Sequence, residues 1–188
     1  MRYTKFLLLF ILAFAQGCAT FGEVDPQAKP YLDSFVSEAH ERGYYPNVDN
    51  LSIYIKPKDS LSMELVSDNA LAYCMPLAIG TSRDRDFIPS FGEYIIISKE
   101  YWDAAPDAGR EDTLFHELGH CILNRVHTTK LLPMWDGTYR PASLMYPTDF
   151  PGIIYLEYRK EYIDELFENA PFYIKHRLME NGPIKATK

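Results

Sequence analysis

The sequence predicts an α+β domain, and three observations support that class. Apolar residues recur at helical spacing after Pro26, alternating β-branched stretches occupy the middle of the chain, and helical patterns return towards its end. Separate runs of helix and strand in this order are typical of α+β proteins rather than of repeating β-α units. With 188 residues, 47% of them hydrophobic, the chain can bury one substantial core.

Each element has a local reason. Asp25 is a suitable N-cap with Pro26 following at the first helical position, and Gly43 ends the first helical pattern. Alternating or β-branched residues predict the strands, and closely spaced prolines predict an irregular segment. The expected order is a helix from 26, strands at 51–56, 62–66, 70–79 and 93–98, a helix at 110–124, an irregular segment at 131–152, a helix at 153–170 and a shorter helix after Pro171.

The N-terminus reads as an export signal. Arg2 and Lys5 precede an apolar run over 6–15 that is too short to span a bilayer but suits a signal peptide. The run ends in "AQGC", which resembles a bacterial lipobox, where cleavage precedes a lipidated cysteine. We therefore expect a signal peptide at 1–17, lipidation of Cys18, a tether at 18–25 and the folded domain at 26–188. Ordinary cleavage after a small residue is the alternative.

This interpretation places the protein in the bacterial envelope, anchored to a lipid bilayer. The alanine after Cys18 suggests sorting to the outer membrane. Export to an oxidising compartment permits a disulfide between Cys74 and Cys121, although both cysteines could equally be small buried side chains. The net charge of −7 and the lack of a basic stripe argue against nucleic-acid binding.

The stretch "HELGHCILNRVH" (116–127) predicts a catalytic zinc site. On a helix, His116 and His120 share one face, while Glu117 lies about 100° around and can flank the metal. Zinc lowers the pKa of a bound water, and Glu117 could then activate that water as a general base. A catalytic zinc needs a third protein ligand. The candidates are His127, Asp136, Glu157 and Glu161.

"HELGHCILNRVH" followed by "SLMYP" resembles the metzincin clan of zinc peptidases. The clan pattern HExxHxxGxxH would place glycine at 123 and histidine at 126, whereas this chain has Leu123, Val126 and a histidine at 127. Asn124 is the next best residue for a left-handed helix exit, so turn and ligand are displaced together by one residue. The resemblance favours His127 as the third ligand. It implies a zincin-like fold: a small twisted mixed sheet, an active-site helix, an irregular Met-turn segment and a C-terminal helix.

The resemblance also implies roles outside the helix. Met145 would form the turn beneath the metal, and Tyr146 is a candidate oxyanion donor. The strand "GEYIIIS" (92–98) would pair with an extended substrate. Apart from the resemblance, Trp135 and Tyr139 lie in the loop after the third ligand and could line a side-chain pocket. Each of these features has a simpler structural alternative. Met145 could fill the core, Tyr146 could pack in the wall of the site, "GEYIIIS" could be an interior strand, and the two loop aromatics could anchor an irregular segment.

The expected function is a zinc-dependent metalloendopeptidase that hydrolyses peptide bonds in envelope or extracellular proteins. One alternative is a non-catalytic zinc-binding envelope lipoprotein. Another is a gluzincin-type peptidase, in which Glu157 or Glu161 from a later helix supplies the third ligand.

Overall fold

Residues 22–59, 70–76, 93–180 and 182 are described by the structure, a computed structural model, and they form a mixed α+β fold. The expected signal peptide, the lipidation expected at Cys18 and the expected strand at 62–66 lie outside these residues. The described elements are α1 (Lys29–Glu41), β1 (Leu51–Lys56), β2 (Ala72–Pro76), β3 (Glu93–Ser98), α2 (Lys99–Ala104), α3 (Asp107–Cys121), β4 (Leu131–Pro133), β5 (Tyr139–Pro141), α4 (Gly152–Glu168) and α5 (Phe172–Glu180).

The main sheet is mixed, with the strand order β1-β3-β2. β3 runs parallel to β1, with Ile95 opposite Ile53, and antiparallel to β2, with Ile95 opposite Cys74. Its isoleucines are buried, as their β-branched character predicted. Because β3 has a partner on each side, the prediction that this strand pairs with substrate is wrong. It is an interior strand.

Helix α3 lies at the centre of the molecule. It packs against β2 and β3 on one side and against α1 and α4 on others. Leu114, Phe115 and Leu118 are fully buried, and each such side chain stabilises the fold by roughly 1.5–3 kcal/mol. The ring of Phe115 meets Phe35 of α1 edge-on at 5.3 Å. The helix is therefore fixed on several sides before any ligand binds.

Residues 22–25, the described part of the expected tether at 18–25, are attached to strand β1. Val24 bridges to Ile53 in parallel, the Asp25 N–H donates to the Ile53 carbonyl at 2.9 Å, and the Ile53 N–H donates to the Glu23 carbonyl at 2.8 Å. The Asp25 carboxylate accepts the Gln27 N–H at 2.9 Å and starts a turn, so α1 itself begins a few residues later than predicted.

The span predicted to be irregular contains no helix before Gly152, but it includes a short antiparallel hairpin of β4 and β5. The two helices expected after it are present as α4 and α5, and α4 departs from helical geometry at Tyr158. None of the described helices is long and apolar enough to cross a membrane.

Candidate metal centre

The exit of α3 brings the third histidine back to the first two. The helix ends at Cys121, and Asn124 takes a left-handed conformation with φ 49°, which confirms its predicted role. The Arg125 N–H then donates to the Gly119 carbonyl at 2.9 Å. This bond folds the chain back along the helix, so that His127 reaches His116 and His120.

The three imidazoles converge through their Nε2 atoms. Every pair of Nε2 atoms among His116, His120 and His127 lies 3.1 Å apart. The Nδ1 of His116 lies 2.6 Å from the Leu144 carbonyl, and the Nδ1 of His120 lies 2.7 Å from the Arg125 carbonyl. A carbonyl oxygen can only accept, so each of these Nδ1 atoms carries the ring proton. Both Nε2 atoms are thus bare acceptors.

Two bare nitrogens facing each other at 3.1 Å do not form a hydrogen bond. Burial lowers the pKa of His116 to about 4 and also lowers the pKa of His120, so both rings are neutral at pH 7. Neutral imidazoles with converging lone pairs repel one another unless a cation lies between them. The arrangement has the chemistry of a ligand set rather than of a hydrogen-bond network.

The triangle fits a tetrahedral metal ion. Three nitrogens at 2.0–2.1 Å from zinc in ideal tetrahedral geometry lie about 3.3 Å apart, close to the spacing here. In the described part of the chain, these histidines are the one group of three ligating side chains within reach of a common ion. Among the described residues no fourth ligating side chain joins the three imidazoles.

The alternative third ligands lie elsewhere. Asp136 accepts the hydroxyl and N–H of Thr138 at 2.6 and 2.9 Å in the β4–β5 turn. Glu161 accepts from Arg140 at 2.5 Å, and Glu157 is exposed on α4. None of the three acids joins the histidine cluster.

The turn at 143–146 supports the cluster from below. Its Leu144 carbonyl holds His116, and its Met145 carbonyl accepts the Thr128 N–H at 2.9 Å, just after His127. The Met145 side chain is buried against Gly119, where an added Cβ would lie 2.6 Å from its sulfur. Methionine thus fills the space that Gly119 leaves open between the two helical ligands.

Glu117 lies beside the cluster and is almost completely buried, which is unusual for a carboxyl group. It is 6% exposed, and burial raises its pKa to about 8 despite a hydrogen bond from the Cys74 backbone N–H. Its Oε2 is fully enclosed and has no hydrogen-bond partner among the described residues. A buried carboxyl oxygen without a partner is suited to receive a proton.

A disulfide joins strand β2 to the end of α3. Cys74 and Cys121 are bonded, with their Cα atoms 5.7 Å apart. The bond anchors the strand that supplies the N–H to Glu117, directly beside His120. The sequence suggested the pairing but not its position at the site.

Arg125 is a contributor that sequence reasoning missed, although it stands inside the motif. Its guanidinium is buried and donates to the carbonyls of Leu166 and Glu165 at 2.6 and 3.0 Å, and to the Glu165 carboxylate at 2.7 Å. These bonds fix the helix exit to α4, while the Arg125 carbonyl orients His120. A basic residue among the mainly apolar positions 121–126 was the available signal.

Three aromatic residues were also predicted to contribute to the site. Tyr146 is half-buried just after the turn. Trp135 and Tyr139 project from the β4–β5 hairpin and are 87% and 66% exposed, so they do not enclose a pocket in the described structure. A role for these two aromatics in lining a side-chain pocket therefore stays a prediction.

Comparison with known proteins adds no family assignment. No protein-family model matches the chain, and no curated protein or solved structure matches it significantly.

Proposed function

We propose that the protein is a metzincin-like zinc metallopeptidase that hydrolyses peptide bonds in envelope or extracellular proteins. The observation that carries the proposal is the triangle of Nε2 atoms from His116, His120 and His127 beside a buried, partly unpartnered Glu117. Three imidazole ligands, an open fourth position and an adjacent carboxyl group are what metal-assisted hydrolysis requires.

Glu117 acts as the general base and then as the general acid. When bound, zinc supplies a Lewis acid that polarises the scissile carbonyl and acidifies a water. A positive charge at the triad also lowers the pKa of Glu117 and so frees its carboxylate to accept a proton from the attacking water. Glu117 then donates that proton to the leaving amine. The Cys74 N–H and the enclosed position of Oε2 hold the carboxyl group in place.

Strand β2 replaces β3 as the proposed substrate-pairing strand. It lies at an edge of the described sheet and packs against α3. The Cys74 N–H serves Glu117, which indicates that this side of β2 faces the site. An extended peptide pairing with β2 would therefore run past the catalytic carboxyl group.

Export and lipid anchoring at Cys18 are part of the same proposal. The Cys74–Cys121 disulfide supports it, because such bonds persist mainly in oxidising compartments. Incorporation of labelled palmitate into the wild type, and its loss in Cys18→Ser, is the expected result. Equal labelling of both proteins would contradict lipidation at this cysteine.

The decisive experiment separates metal binding from chemistry. On protein starting at residue 19, we expect one zinc per chain and hydrolysis of an unfolded protein substrate. Glu117→Gln should keep zinc and lose hydrolysis, whereas Glu157→Gln, an exposed control on α4, should keep both. A fully active Glu117→Gln protein would refute the mechanism.

The third ligand is tested on the same protein. His127→Ala should lose zinc at concentrations where Glu157→Ala and Glu161→Ala remain loaded. Zinc loss in either glutamate variant, with His127→Ala unaffected, would favour the gluzincin arrangement. Absorption of the cobalt-substituted protein counts protein ligands, and a closed set of four would point to a structural site instead.

A further inference from the structure

Asp112 of α3 is a buried carboxyl group without a partner. It is 4% exposed, and it makes no hydrogen bond or ion pair with any described residue. Its oxygens are not among the fully enclosed polar atoms that lack a partner, so they retain contact with solvent-accessible space. Nearly all buried polar groups in native proteins are paired, and an exception commonly marks a place for a ligand.

The position of Asp112 links it to the metal centre. It precedes His116 by one helical turn, so the two side chains leave the same face of α3, about 6 Å apart along the axis. Asp149, four residues after Met145, lies close enough to Asp112 for its charge to contribute, after burial, to raising the pKa of Asp112.

The surroundings of Asp112 are acidic and aromatic. The neighbouring Glu111 is already paired with Arg159 at 2.7 Å, whereas neither Asp112 nor Asp149 forms an ion pair with a described residue. Burial raises the pKa of Tyr101 to about 12, and the charges of Asp149 and Asp112 add to this effect. The hydroxyl of Tyr101 therefore lies within electrostatic range of two unpaired carboxyl groups, whose charge would attract a cation.

We propose that Asp112, assisted by Asp149, binds the ammonium or guanidinium group of a lysine or arginine next to the scissile bond, which makes Asp112 a specificity-determining residue. The inference rests on the proposed peptidase function and names its substrate class: peptides with a basic residue beside the cleaved bond. A long basic side chain can bridge the helical turn that separates the metal centre from Asp112.

A second metal ion fits the site less well. Calcium takes six to eight oxygen ligands, and the described residues provide no group of three ligating side chains around Asp112. An organic cation needs only a charged hydrogen bond to one or two carboxylates.

Peptide cleavage tests the proposal. Zinc-loaded wild type is given a peptide library, and cleaved sequences are remade with lysine, arginine, glutamine or methionine beside the scissile bond. We expect kcat/KM for the basic peptide to exceed that for its glutamine analogue by at least about tenfold. In Asp112→Asn this ratio should fall towards one. Asp103→Asn, which alters an exposed aspartate paired with Lys99, should keep the wild-type ratio.

A binding measurement separates recognition from catalysis. Metal-free Glu117→Gln protein, titrated by calorimetry, should bind the basic peptide at least about tenfold more tightly than its glutamine analogue, and adding Asp112→Asn should remove the difference. Asp112→Asn should also unfold at the same or a higher temperature than the wild type, because it removes an unpaired buried acid. A purely structural Asp112 would instead lower the unfolding temperature and leave the peptide preference unchanged.

The failures can be told apart. If zinc-loaded wild type cleaves nothing in the library, the peptidase proposal fails, and the substrate class with it. If it cleaves peptides without a basic preference, only the role of Asp112 is overturned. Calcium binding that disappears in Asp112→Asn would assign the site to a metal ion and also overturn the inference.

Discussion

The disulfide between β2 and α3 gives the most quantitative prediction. Replacing Cys74 and Cys121 together with alanine removes the cross-link and leaves both positions small and apolar. The bond joins residues 47 apart in the sequence, so breaking it frees a long loop in the unfolded chain. The loop-entropy relation for this separation gives about 4 kcal/mol at 25 °C, at the upper end of the usual range.

That free energy corresponds to a large thermal shift. In a domain of 150–250 residues, 1 kcal/mol moves Tm by roughly 2–4 °C, so the double variant should unfold roughly 8–16 °C below the wild type. The comparison is made on metal-free protein, since bound metal would add its own stabilisation. Differential scanning calorimetry without and with a reducing agent is the assay.

Reductant supplies the internal control. It should lower the Tm of the wild type to that of the double variant and leave the double variant unchanged. The variant should also lose more hydrolysis than zinc affinity, because the bond holds the Cys74 N–H at Glu117 while the three ligands come from elsewhere. A Tm difference below about 2 °C between oxidised wild type and double variant would refute the loop-entropy reasoning.

Three further outcomes are expected. Gly119→Ala would bring the new Cβ to 2.6 Å from the Met145 sulfur, so overpacking of roughly 1–3 kcal/mol should outweigh the gain in helix propensity. The variant should therefore have a lower Tm and bind zinc more weakly. A variant more stable than the wild type would contradict the close packing of Gly119 against Met145. In urea unfolding, metal-free Glu117→Gln should be a few kcal/mol more stable than the wild type at pH 8.5, and the two should be similar near pH 4. The reason is that the pKa of Glu117 is about 8 in the folded protein. The wild type is therefore fully stable below the ordinary pKa of a glutamate and loses stability as the pH rises towards 8. Arg125→Ala should lower both the stability of the fold and the affinity for zinc. The control Arg42→Ala breaks ion pairs remote from the histidine cluster and should lower stability alone. Equal zinc affinities of the two variants would refute a positioning role for Arg125.

The sequence was most informative where structure is local. The spacing of His116 and His120 sets them on one face of any helix, and Asn124 predicted the left-handed exit because few other residues accept that conformation. The β-branched run of β3 likewise predicted a strand. Each of these features depends on residues within a few positions of one another.

Contacts between residues distant in sequence determined the features that the sequence did not predict. The sequence could not show that β3 lies between β1 and β2, since alternation within a strand does not reveal which edges are occupied. The hairpin that exposes Trp135 depends on pairing between β4 and β5. The closely spaced prolines of this span had predicted an irregular segment instead.

The chain by itself therefore determined which side chains could form a metal centre: two histidines and a glutamate on a helix, a third histidine beyond a turn, and a methionine further on. Only the tertiary structure decided how they are held. The Leu144 and Arg125 carbonyls set the imidazole tautomers, Cys74 contacts Glu117 through its backbone, and Arg125 fixes the exit to α4. Backbone groups carry no sequence signature, and long-range contacts form only when the whole core has packed.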